Sequence, residues 1–168
     1  MAKMMLLDFE QDYNFTLIAI CSSLPDYRLC YNLNKQADLH FMQRRNDVNE
    51  VLNKGKQAFS FCIYDSIHER EGLHYSLLSN KSWEFPKQVN NSFSGLFQQE
   101  SFDSRPLLIS EHRQADFFLL IYGDINIPEK NIFLSTLTKV SGVVAAYELD
   151  VESVRSKEKL LHLKDDYE

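Results

Sequence analysis

Residues 117–149 read FFLLIYGDINIPEKNIFLSTLTKVSGVVAAYEL. The first six are apolar, too few for a membrane span or a typical helix, and they end at Gly123; that is the pattern of a buried strand. Asn126 and Pro128 then start a helix, the one as a cap and the other in the first turn, where a missing N–H costs nothing. Ile132, Phe133, Thr136, Leu137 and Val140 fall at helical spacing and predict an apolar stripe. Gly142 follows as a C-terminal cap, and VVAAYEL (143–149) is a second strand, expected to bury Val143, Ala145, Tyr147 and Leu149.

Working outward, an earlier stretch repeats this order without repeating the sequence. FTLIAIC (15–21) is short and β-branched, a buried strand or a helical turn by periodicity alone. In SSLPDYRLCYNLNKQ, Ser23 can cap, Pro25 sits in the first turn and Asp26 adds negative charge there, so a helix over about 24–36 is expected. ADLHFMQ (37–43) alternates Leu39 and Phe41 against Asp38, His40 and Met42, as a half-buried strand does. RRNDVNEVLNKGK is polar and is expected to carry a helical turn ending at Gly55. AFSFCIYD (58–65) and EGLHYSLLS (71–79) both alternate and form a hairpin across SIHERE.

Residues 80–106 differ in kind: rich in Asn, Ser and Gln, without periodicity, yet carrying Trp83, Phe85, Phe93, Phe97 and Phe102. Loops of such length inside a domain are either functional or mobile. Residues 150–168 form a charged C-terminal tail, in which SKEKLLHL is a short helix or an edge strand. The whole chain, 1–168, reads as one α+β domain, a mainly antiparallel sheet with helices on one face in a ferredoxin-like or ACT-like arrangement.

Composition narrows the function classes. At 168 residues, 44% hydrophobic and 25% charged, the chain can bury a sizeable core. A formal charge of −6 opposes a phosphate backbone, which disfavours nucleic-acid binding. The start, MAKMMLLDFEQDY, meets Asp8 and Glu10 at once and lacks a secretory h-region, so a cytoplasmic location is expected. Cys21, Cys30 and Cys62 show no C-x-x-C spacing and read as reduced, partly buried thiols.

No stretch specifies a reaction. The five histidines (His40, His68, His74, His112, His162) form no metal-ligating pattern, and H-E-R-E at 68–71 reads as surface. With five glycines there is no phosphate-cradling loop and no G-x-S-x-G, so no cofactor and no catalytic residue is assigned. Glu111, His112, Arg113 and Asp116 could supply an acid/base pair beside a cation, but neighbours entering a strand point to opposite sides, and a solvated turn explains them. Asp26, Tyr27 and Arg28 could receive an anion at a helix N-terminus, although capping explains Asp26 equally well.

DYRLCYNLNK (26–35), LLSNKS (77–82) and ISEHRQADFFLLIYG (109–123) together resemble the IPExxxDY family of small bacterial proteins, which has no assigned activity. The resemblance runs over roughly 5–163 and is weakest at 84–104. Ile109, Glu111 and Asp116 stand at signature positions, Ser110 replaces the proline, Phe117 replaces the tyrosine, and the Glu-to-Asp spacing is one residue longer. The resemblance implies a cytoplasmic protein with no known catalytic residue and a gene neighbourhood shared with a ribonuclease III. A Tyr-to-Phe exchange fits a packing role better than a chemical one.

Three expectations follow. The first is a non-enzymatic domain acting through a protein partner, with Trp83, Phe85, Phe93 and Phe97 as anchors. The second is an ACT-like regulatory module binding a small ligand near Asp26–Arg28. The third is a hydrolase using Glu111 and His112, which requires the two side chains to converge. An accessory role in RNA processing comes from the resemblance alone.

Overall fold

The computed structural model describes residues 14–44, 48–50, 59–82 and 105–161. Six strands make one sheet, every neighbouring pair antiparallel. In chain order they are β1 (Phe15–Ser22), β2 (Met42–Gln43), β5 (Ile63–His68), β6 (Leu73–Ser79), β7 (Phe117–Tyr122) and β8 (Val143–Leu149), arranged β2-β5-β6-β7-β1-β8. A separate two-stranded ladder joins β3 (Val48–Glu50) to β4 (Phe59–Phe61). Three α-helices, α1 (Asp26–Gln36), α2 (Ile127–Lys139) and α3 (Glu158–Leu161), and two 3-10 turns, Ser110–His112 and Val151–Ser153, complete the described elements.

The stretch 117–149 forms strand, helix and strand as read. β7 and β8 both run antiparallel to β1, which lies between them, so they are parallel to each other and α2 bridges them. Asn126 Oδ1 accepts the N–H of Glu129 as expected, but the helix is capped at Val140, and Gly142, at φ +92°, stands in the Val140–Val143 turn that leads into β8. Gly142 is also a packing necessity, because a Cβ there would lie 2.1 Å from Leu24 Cδ1. This split β-α-β is the ferredoxin-like half of the molecule. The other half departs from that order: the β5–β6 hairpin occupies the place beside β7, and β2, reached through α1, is carried to the far edge.

β1 and β7 are buried on both faces, which is why they read as unbroken apolar runs instead of alternating. On one face Ile18, Ile20, Leu119 and Ile121 pack with Leu29 and Leu33 of α1 and Leu137 of α2. On the other, Leu17, Phe118 and Leu120 pack under Leu108, Ile109, Ala115, Val154 and Leu160. The long helices thus share one face, while the 105–116 segment and the folded-back residues 151–160 cover the other.

Several expectations are corrected. ADLHFMQ is not one strand: only Met42–Gln43 pairs, because Asn34 at the end of α1 takes both the N–H and the carbonyl of Phe41 and Asp38 turns to φ 53°. Leu39 and Phe41 are buried all the same. Residues 48–50 pair as a strand, while the helical turn expected to end at Gly55 lies outside the described residues. AFSFCIYD breaks at Cys62, so Phe59–Phe61 and Ile63–His68 pair with different partners. Pro25, not Ser23, occupies the N-cap of α1, and it is Ser22 Oγ that accepts from Leu24 N. Ile132 on α2 and Tyr147 on β8 are exposed, since β8 is the sheet edge and α2 covers it from one side only. His68 is not simple surface: its ring lies between those of His40 and Tyr75, at centroid distances of 6.0 and 5.3 Å. SKEKLLHL begins a short helix, α3.

Candidate functional site

The end of β1, the start of α1, the start of β7 and the chain on either side of residues 83–104 surround a cleft of about 420 Å³. Asp26 and Asp116 contribute carboxylates, Lys81 and Arg105 contribute cations, and Ser22, Ser79 and Cys62 complete its polar lining.

Asn80 positions this arrangement. Its side chain, with no exposed surface, donates to the carbonyls of His112 (3.1 Å) and Ala115 (2.8 Å) and accepts from the N–H of Ile109 (2.9 Å). Its backbone adds bonds to Asp116 and Leu108. A single asparagine therefore pins the whole turn 108–116, a polar group buried only because every hydrogen-bonding capacity used is met. Asp116 is delivered to the cleft by that turn: Oδ2 accepts from Ser22 N at 2.9 Å and Oδ1 lies 3.5 Å from Lys81 Nζ.

Asp26 closes the other side. Oδ1 accepts from Tyr27 N and Oδ2 from the Tyr64 hydroxyl at 3.2 Å. Burial, and then the Asp26 carboxylate, push the Tyr64 phenol far above its usual value, so it stays protonated and a donor. The N-terminus of α1 thus already carries its own carboxylate, and the cations of the cleft come instead from Lys81 and Arg105. Burial, with Asp26 second, likewise raises the Cys30 thiol far out of the reactive range.

The signature residues divide. Asp116 and Phe117 line the cleft; Ile109 is fully buried in the core on the other face of the sheet. Glu111 faces away and ties down the C-terminal segment, accepting from the N–H and hydroxyl of Ser156 at 2.9 and 3.1 Å. Burial raises its carboxyl, but these bonds and those from backbone N–H groups outweigh that, leaving it below the usual carboxylate range. A lowered carboxyl with both oxygens engaged is a poor general base. Tyr27 and Arg28 are exposed on α1 and do not line the cleft. Trp83, Phe85, Phe93 and Phe97 lie outside the described residues.

No family model, curated protein or solved structure matches the chain. The three stretches that carry the sequence resemblance nevertheless meet here, Asp26 from the first, Lys81 from the second, Asp116 and Phe117 from the third. Sequence reasoning singled out the two aspartates but missed Lys81, Arg105 and the role of Asn80, all of which lie in or beside a stretch that reads as polar loop.

A second polar cluster holds the sheet rather than a ligand. Asp65, with its side chain 12% exposed, accepts two bonds from Arg44 and one from Ser76, with His74 Nε2 3.3 Å away. Serine and aspartate approach the same imidazole nitrogen, so this is not the ordered relay that activates a nucleophile.

Proposed function

We propose that the protein is a binding domain without catalytic chemistry of its own, and that the cleft at the start of α1 takes a small ligand carrying both charge signs, as an amino-acid-like zwitterion does. The carrying observation is that two carboxylates and two cations, brought from separate segments of the chain, face one cleft of about 420 Å³. That volume suits a small molecule. Lys81 and Arg105 would take the ligand's carboxylate, and Asp26 or Asp116 its ammonium.

Membership of the IPExxxDY family, a bacterial origin and a cytoplasmic location belong to the same proposal. Their support is the meeting of the three resembling stretches at this cleft. Among the described residues no helix is long and apolar enough to cross a membrane. The net charge of −6 lends nothing to a direct RNA-binding role.

A thermal-shift panel of amino acids, dicarboxylates, amines and phosphorylated metabolites tests the reading. A ligand at 100 times its Kd raises stability by about 2.7 kcal/mol, and Lys81→Ala is expected to abolish the shift. A panel with no shift would sink the ligand reading and leave a contact reading standing. What favours the latter is Tyr27 and Tyr31, one turn apart on α1 and 65% and 62% exposed, in keeping with the use of aromatic side chains at interfaces.

A further inference from the structure

A second cleft, of about 520 Å³, lies on the helix-bearing face, between the N-terminal half of α2 and the start of β6. Its chemistry is of the opposite kind to the first. The floor is aromatic and aliphatic: Tyr75 and Phe133 approach with ring centroids 5.4 Å apart, and Leu73 and Ile125 flank them. Around this floor stand three carboxylates, Glu71 from the hairpin turn, Asp124 from the β7–α2 connection and Glu129 from the first turn of α2. None of the lining residues is basic. Glu71 and Glu129 lie close enough to the Tyr75 hydroxyl to reinforce what its burial does first, raising it above its usual value.

We propose that this cleft binds a small organic cation, an ammonium group carried on an apolar body. Charge complementarity selects the occupant: an apolar floor receives the body, while the three carboxylates receive the positive end, Glu71 also lying 4.0 Å from His68 Nδ1, a cation only when protonated. An anion would meet only repulsion there, and a neutral apolar molecule would gain nothing from the rim. The volume falls within the range of small-molecule sites. The inference rests on residues that do not line the first cleft, so the two stand or fall separately.

The test uses the full chain with phenethylammonium as probe, beside phenethyl alcohol and phenylacetate as neutral and anionic counterparts. Phenethylammonium is expected to raise the melting temperature and to bind more weakly as salt is added, while phenylacetate gives no shift. The double variant Glu71→Gln/Glu129→Gln is expected to weaken the ammonium roughly tenfold, two exposed charge contacts' worth. Both side chains are exposed, so the fold should survive; if circular dichroism shows otherwise, Asp124→Asn gives the same readout. Equal binding of the alcohol and the ammonium, or binding indifferent to the carboxylate variants, would overturn the proposal. A lysine-rich peptide that binds through these carboxylates where the amine does not would also overturn it, making the occupant a protein segment.

Discussion

Asn80 is the residue on which most depends. Nothing in LLSNKS marks it: a polar residue after a strand reads as the first of a loop, and its partners lie some thirty positions away. Asn80→Ala would leave the buried Ala115 carbonyl and the buried Ile109 N–H without these partners, while the His112 carbonyl keeps the N–H of Ala115. The expected loss is about 2–4 kcal/mol, the cost of two buried groups left unsatisfied. Urea unfolding measures it, with the midpoint falling and the slope unchanged; a loss below about 1 kcal/mol would show that water replaces the amide. Asp116 was legible as a charged residue ahead of a strand, but not as a partner of Ser22, because that contact joins residues 94 positions apart.

At the scale of elements, the reading of 117–149 succeeded because cap, stripe and glycine all point the same way within thirty residues. It failed where side chains from elsewhere redirect the backbone. Asn34 and Ser66 take the hydrogen bonds that 38–41 would have given to a ladder, so a well-alternating sequence stays out of the sheet. The Ser110–His112 turn is the same lesson in reverse, since Glu111 serves the segment 45 residues later. That pairing has a pH signature. The Glu111 carboxyl is lower folded than its ordinary 4.5, so its contribution is present above that value and is lost as pH falls through the lower, folded one. Wild type is therefore expected to melt above Glu111→Gln at about pH 7, with the gap closing progressively as pH falls below 4.5. Thermal unfolding across this range checks it, and a gap that widens in acid would contradict the assignment.

For the whole molecule, the order β2-β5-β6-β7-β1-β8 places the two most buried strands near the middle and leaves β2 and β8 as edges. The mixed-charge cleft is built on the ends of the central pair, Ser22 closing β1 and Asp116 preceding β7, and the acidic cleft opens over the β7–α2 connection at the other end of β7. Such a layout keeps charge away from the core, since the central strands keep their apolar side chains inward and their terminal neighbours present the charge. Local opening should follow the same order. Hydrogen exchange read by mass spectrometry is expected to be slowest in peptides from β1 and β7, whose amides are covered by packing on both faces. β8 should exchange markedly faster despite its seven residues, because it bonds to β1 alone and leaves Val144 79% exposed. If β8 instead opened together with β7 in one slow unit, α2 would be locking the edge to the core, and the split β-α-β would be the folding unit rather than the central pair.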